Sequence, residues 1–308
     1  MLTGAGYIGA ALLRRLKQEP SSGPLVVLDN YFSTPREALL AALPPGTNFI
    51  EGDLAETADV ARAFDALGPA TTPTHVFHLA AQPSAAVAVR DPRVTERSNL
   101  VGARLVLEAA RERGARVVFG GSFRVYGDDL VGTQVDEATP YGRVGDLSHL
   151  SKVYVEQLAR MLGGAFVSVR LGVTYGLSPI MKTNPAFMTV PNLFCQRAAS
   201  GEALQVLEDR PMAFIHVDDA AAALLAAARL EHGGWEAVNA APEVVTIGEV
   251  ARTVQRLMQQ RGKQARTQGE TASEATFQVR SRLDFQPRHT LASGLGDVLD
   301  YFLTLARQ

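Results

Sequence analysis

The stretch Thr3-Gly-Ala-Gly-Tyr-Ile-Gly9 constrains this chain more than any other. Glycines at G-x-G-x-x-G spacing let a strand turn tightly into a helix. The helix N-terminus then offers N–H groups and the positive end of its dipole to a pyrophosphate, with Tyr7 and Ile8 inside the turn. Twenty residues after Gly9, closing the apolar run Leu25-Val-Val-Leu28, stands Asp29. A carboxylate at that distance can accept hydrogen bonds from adenosine ribose hydroxyls and repels a 2′-phosphate, which favours NAD over NADP. Only Met1 and Leu2 precede the glycine loop, so the expectation is a clipped central strand or a misassigned start.

Beyond the loop the chain alternates. Thr47–Ile50, His75–Leu79, Arg116–Phe119 and Phe166–Arg170 read as further buried strands. Gly9–Gln18, Val60–Leu67 and Asn99–Glu112 carry apolar residues at helical spacing. Repeated strand–helix–strand units imply an α/β fold: a Rossmann-type, doubly wound parallel sheet with helices on both faces. The alternation loosens after residue 172. Residues 1–172 are therefore expected to form the NAD-binding domain, and 173–308 mainly a smaller C-terminal α/β substrate lobe, with the chain crossing back to the sheet. The polar stretch Gln259 to Glu274 is expected to be a surface excursion.

Composition excludes several functions. The formal net charge is −2 with no Lys/Arg run, so nothing suits nucleic acid or an anionic membrane surface. The longest apolar run, Ala220 to Ala228, is too short to cross a bilayer. One cysteine, Cys195, permits no internal disulfide and suits a reducing cytoplasm, and with a glycine loop opening the sequence no signal peptide is expected. No metal site is expected. His216 with Asp218-Asp219 reads as a strand end capping the Ala-rich helix, and His78 as a buried strand histidine.

Together with TGAGYIG, the segments LDNYFST (28–34), EGDLAE (51–56), VFHLAAQ (76–82), Asn99, GGSFRVYGD (120–128), Lys152, FIHVDDAA (214–221), TIGEVA (246–251) and the closing 284–302 carry a resemblance over nearly the whole chain. It resembles an extended short-chain dehydrogenase/reductase of the NAD-dependent epimerase/dehydratase group, which includes UDP-glucose 4-epimerase and dTDP-glucose dehydratase. The resemblance implies that Asp29, Asn30 and Ser33 hold the adenosine ribose and neighbouring groups. It puts Asp53 and Leu54 at the adenine, and Leu79, Ala80, Ala81 and Gln82 along the path to the nicotinamide ribose, with Asn99 among the cofactor residues. It also implies homodimerisation through two helices, for which Leu105–Ala110 and Val153–Met161 are candidates.

The chemistry that the resemblance implies is removal of a sugar-hydroxyl proton by a tyrosine phenolate as hydride passes to NAD. A hydroxyl residue and a lysine assist, and the lysine ammonium lowers the tyrosine's intrinsic pKa of about 10. Ser122 and Lys152 occupy the serine and lysine positions. The tyrosine does not follow. In PYGRVGDLSHLSK (140–152), Tyr141 lies eleven residues before Lys152, and the position four before it holds Ser148. Eleven residues rise about 16 Å on a helix, four about 6 Å, so Tyr141 acts only if residues 142–150 fold it back. Tyr141→Phe is then expected to abolish activity. Ser148 is an alkanol, too weak an acid to replace a phenol directly. His149 titrates in a suitable range but projects about 100° from Ser148, which calls for a distorted turn. The remaining alternative is that Ser148 merely caps the helix and nothing supplies the function.

Two substrate-side positions also depart. Where nucleotide-sugar members carry an asparagine and an arginine for the diphosphate, Val173 and Met212 stand here, with Arg210 displaced by two. Lys182, Asn184, Asn192 and Arg197 are candidates for another polar pocket. Two readings follow: an NAD-dependent epimerase, dehydratase or reductase acting on a hydroxyl carbon of a nucleotide-linked or related sugar, and a catalytically silent NAD-binding sensor or scaffold.

Overall fold

Seven strands form one parallel sheet in the spatial order Asn48–Glu51, Val26–Asp29, Leu2–Thr3, His75–His78, Arg116–Ser122, Phe166–Leu171, Trp235–Ala240. The structure is a computed structural model that describes residues 1–18, 23–70, 73–231, 233–269 and 271–307. Val26–Asp29, Arg116–Ser122 and Phe166–Leu171 are buried nearly along their length rather than at alternate positions, because a parallel sheet is covered on both faces. One face packs against helices Tyr7–Leu16 and Val217–Ala228 around Leu12, Leu13, Leu224 and Val169. The other packs against Thr57–Asp65, Ala103–Arg113 and Leu147–Leu162 around Phe64, Val106, Val155 and Phe119.

The first strand is short, but it lies inside the sheet, third from the Asn48–Glu51 edge and beside the middle strand. Leu2 pairs with Val27 on one side and Phe77 on the other. Its pairing runs past the two strand residues: Phe77 N–H donates to Met1 O (2.9 Å) and Gly4 N–H to Leu28 O (3.1 Å). The helix that follows starts at Tyr7 rather than Gly9.

The last sheet strand, Trp235–Ala240, comes from the C-terminal half and pairs beside Phe166–Leu171 in register from Trp235↔Phe166 to Ala240↔Leu171. Apart from helix Val217–Ala228, which packs on the main sheet, most of that half builds a lobe over the C-terminal ends of the strands. Its small sheet, ordered Glu243–Thr246, Pro211–His216, Val173–Tyr175, packs with helices Val190–Ala199, Ile247–Gln260 and Leu291–Leu305 around Tyr175, Phe194, Phe214 and Leu299. The polar stretch 259–274 contains a strand, Thr267–Gln268, paired with Leu204–Gln205, and only Glu270 of it lies outside the described residues. His216 closes its strand and caps Val217–Ala228 by accepting from Asp218 N–H. Asp219 instead accepts from the Arg288 and His289 backbone N–H groups, pinning the approach to the last helix.

Candidate active site

A cavity of about 640 Å³ runs between the strand ends and the lobe. Its floor begins at the glycine loop. Gly4 has φ +81°, and a Cβ there would meet the Ala80 backbone at 2.5 Å; a Cβ on Gly9 would meet Gly4 O at 2.1 Å. Only glycine lets the loop, the next strand end and the helix approach this closely. No side chain caps the helix that starts at Tyr7 and its first turn holds no acid, so its N–H groups face the cavity without competition from a built-in anion. Asp29 accepts from Ala5 N–H (2.8 Å) and Tyr31 N–H (2.7 Å), which fixes its carboxylate at the rim; burial pushes its pKa up, against those N–H groups.

Asn30, Ser33, Asp53, Leu54, Leu79, Ala80 and Ala81 line the same cavity. Gln82 and Asn99 lie outside it. They are buried and bonded to each other, Gln82 N–H to Asn99 Oδ1 (2.7 Å) and Asn99 Nδ2 to Gln82 O (2.9 Å), and Asn99 also donates to Ser151 Oγ (3.0 Å). They lock the strand-end loop to the lysine helix from behind.

Farther along the cavity stand Ser122 and Lys152. Ser122 ends its strand and accepts from Arg124 N–H (3.3 Å). Lys152 Nζ donates to Gly120 O (2.7 Å) and sits over the Phe119 ring. Burial lowers the Lys152 pKa to about 8, against the pull of the Glu156 carboxylate.

Tyr141 does not fold back to this lysine. Its phenol donates to Glu156 Oε2 (2.8 Å), and it does not line the cavity. Glu156 is fully buried against Arg170 (2.7 Å) and also accepts from Ser168 Oγ (2.7 Å). Arg170 in turn donates to Tyr126 OH (2.6 Å). Burial and the neighbouring Glu156 charge push the Tyr141 pKa up to about 12, the opposite of what a phenolate base needs.

Nor is Ser148 the helix cap. Asp146 is, accepting from His149 N–H through Oδ1 (3.0 Å). Ser148 Oγ donates to that same oxygen (2.8 Å). Asp146 Oδ2 lies 2.7 Å from His149 Nδ1. Ser148 and His149 both line the cavity on a helix that is regular from Leu147 onward, so His149 needs no distorted turn. Although burial works against it, the His149 ring and the Ser148 hydroxyl hold the Asp146 carboxyl well below the usual range.

On the lobe side, Val173 and Met212 line the cavity with Lys182, Arg210 and Asn192. Lys182 is half-buried near the Phe187 ring, has no ion-pair partner among the described residues, and its pKa is lowered to about 8 by burial. Arg210 is already paired with Asp128 (2.8 Å). Asn192 accepts from Gly176 N–H (3.1 Å) and donates to Tyr7 OH (3.0 Å). The Tyr7 hydroxyl donates to Gly176 O (2.6 Å), and Ser178 Oγ donates to Tyr7 O (2.6 Å). Asn192 therefore bolts the lobe to the cofactor helix. Asn184 and Arg197 do not line the cavity; the first caps a short turn and the second bonds Gln205 (3.4 Å).

Sequence reading missed Arg124, Asp128 and Asp146, and the aromatic contact between Phe32 and Phe187 across the cleft (6.0 Å, edge-on). An aspartate three residues before His149 at a helix start was the available signal for Asp146, because aspartate is a preferred cap. Arg124 and Asp128 form a local i,i+4 pair, but their place beside His149 and Arg210, like the Phe32–Phe187 contact, comes only from the fold.

These features define a dinucleotide-binding α/β protein whose cleft is roofed by a second, smaller lobe. The profile of the NAD dependent epimerase/dehydratase family matches residues 1–248, and the chain belongs to that family. The relatives it matches are enzymes, and NAD is the family's cofactor. The NAD-bound UDP-glucose 4-epimerase of Thermus thermophilus is 28% identical, with a TM-score of 0.79 over 98% of this chain and 97% of that one. UDP-glucuronic acid decarboxylase 6 of Arabidopsis thaliana is 27% identical over 83% of this chain and 72% of its own length. A dTDP-glucose 4,6-dehydratase of Mycolicibacterium smegmatis is 29% identical over 45% of this chain and 40% of its own. The described residues hold no helix long and apolar enough to cross a membrane.

Proposed function

We propose that this protein oxidises or isomerises a hydroxyl carbon of a nucleotide-linked sugar by hydride transfer with NAD. The observation that carries this reading is the continuity of one cavity from the glycine cradle and Asp29 to Ser122 and Lys152. The residues fit the cofactor: Gly4, Gly6 and the uncapped helix start take the pyrophosphate, Asp29 with Asn30 and Ser33 the adenosine ribose, and Asp53 and Leu54 the adenine. Leu79, Ala80 and Ala81 flank the path to the nicotinamide ribose. Bound NAD supplies the hydride acceptor. Ser122 hydrogen-bonds the reacting hydroxyl, and Lys152 holds the nicotinamide ribose and stabilises negative charge beside it.

The diphosphate of a sugar nucleotide is assigned to Lys182, with Arg210 in support and Asn192 fixing the wall behind them. On the lobe side of the cavity Arg210 is already held by Asp128, whereas Lys182 has no ion-pair partner among the described residues, which supports this. A homodimer through Leu147–Leu162 is consistent with its exposed Leu150 and Met161 (51% and 83% exposed), whereas Val106, Leu107 and Ala110 of the other candidate helix pack inward. The single cysteine, buried and unpaired, agrees with work in the cytoplasm.

The test is direct. Purified protein is expected to bind NAD, and some member of a UDP- and dTDP-sugar panel is expected to raise the near-ultraviolet absorbance of reduced nicotinamide. Bound NAD with no reduction and no product across the panel would overturn the reading in favour of a silent NAD-binding protein, which the sequestered Tyr141 otherwise recommends.

A further inference from the structure

We infer that His149, oriented by Asp146, is the acid/base residue of this site and replaces the tyrosine missing four positions before Lys152. The inference rests on the oxidoreductase reading above.

Three groups compete for the role, and geometry separates them. The Tyr141 phenol is committed to Glu156 and lies outside the cavity. Ser148 lines the cavity, but its hydroxyl already donates to Asp146 Oδ1 (2.8 Å), which leaves it a brace for that carboxylate. His149 lines the cavity three residues before Lys152 on the same helix, a spacing that places the two side chains as neighbours.

Its protonation pattern follows from its partners. Asp146 Oδ1 and Oδ2 lie 2.9 Å and 2.7 Å from His149 Nδ1, and an ionised carboxylate can only accept. Nδ1 therefore carries the hydrogen, and Nε2 keeps a lone pair. A helix cap alone requires one carboxylate oxygen on one backbone N–H, which Oδ1 supplies. The second oxygen, held on a ring that lines the reaction cavity, is an addition the cap does not need.

Charged groups face the ring from several sides. Asp146 faces it from the helix start. From the turn Phe123–Tyr126, Arg124 Nη1 comes within 3.4 Å of Nδ1 and 3.7 Å of Asp146 Oδ2. Arg124 is itself paired with Asp128 (3.0 Å), and Asp128 with Arg210 (2.8 Å). Lys152 follows on the same helix. Among the described residues, Asp146 has no ion pair shorter than 3.7 Å besides its contact with His149.

The step balances. The substrate's C–H electron pair leaves as hydride to the oxidised nicotinamide, its O–H proton passes to His149 Nε2, and the carbinol becomes a ketone. The reverse step returns the proton from Nε2 to the carbonyl oxygen and the hydride to carbon.

The experiment uses NAD-loaded wild type, His149→Gln and Asp146→Asn, with His149→Ala assayed with and without added imidazole. General acid/base catalysis is worth about 10²–10⁴-fold, so His149→Gln is expected to lose that much of the rate of cofactor reduction while binding NAD as wild type does. Imidazole should restore part of the rate to His149→Ala. Asp146→Asn keeps the cap but removes the counter-charge of the imidazolium, so the acid limb of its pH–rate profile should move to lower pH. In ¹⁵N-labelled, substrate-free protein, the His149 ring should appear as the Nδ1-protonated tautomer. Equal reduction rates in wild type and His149→Gln, or an Nε2-protonated ring, would overturn the inference and leave the oxidoreductase reading standing. No reduction in NAD-loaded wild type would remove that reading, and the inference with it.

Discussion

The two ends of the segment 140–152 differ in what their polar groups have left to do. At Tyr141 the side chains are spent on one another: phenol on Glu156, Glu156 on Arg170 and Ser168, Arg170 on Tyr126. At His149 one ring nitrogen is held and the side chain faces a cavity. The first arrangement is a sealed ion pair and the second is half-satisfied. Burial with full pairing raises the cost of any change in protonation, whereas a single oriented bond leaves the opposite nitrogen free to exchange a proton. The residue type that the chemistry ordinarily calls for has been kept in the chain but used as structure.

The comparison can be broken at the sealed end first. Glu156→Gln leaves Arg170 buried without its counter-charge and is expected to cost about 3–5 kcal/mol in denaturant unfolding. A cost within experimental error would show that the pair is not sealed. Tyr141→Phe removes one hydrogen bond to a charged group, for an expected loss of about 1.5–3 kcal/mol, and should leave the rate of NAD reduction unchanged. Loss of turnover with unchanged stability would exchange the roles of the two ends.

The smallest expected effect sharpens the boundary between them, at Lys152. Burial lowers its pKa from 10.5 to about 8. Between those values the unfolded chain keeps a proton that the folded protein has released, so folding stability gains from rising pH in that window. Wild type should therefore gain about 1 kcal/mol relative to Lys152→Met between about pH 8 and pH 9.5, read from paired urea titrations. A flat difference would mean that the ammonium is solvated and the cavity wetter than its lining suggests.

The cofactor half of the molecule was legible in the sequence because its determinants are local. A glycine loop, an adjacent strand and Asp29 at fixed spacing specify a turn, a helix start and a carboxylate whatever the rest of the chain does. Ser122 and Lys152 were legible for the same reason, each at the end or on the face of one element. The reacting end was not. Whether Tyr141 reaches Lys152 depends on where Glu156 and Arg170 lie in three dimensions, and that is set by the packing of helix Leu147–Leu162 on strand Phe166–Leu171. Asn192 misled in the same way, since a polar residue beside a pocket reads as a ligand until its partner, Tyr7, is found 185 residues away.

That last contact has a mechanical consequence. Tyr7 is the first residue of the helix proposed to receive the pyrophosphate, and its hydroxyl and carbonyl are tied to Gly176, Ser178 and Asn192 of the opposite lobe. The roof cannot swing away without stretching three hydrogen bonds at the proposed anchor point. Loading one compartment and rearranging the other are thus strained through a single hinge pin, and the pin is a tyrosine.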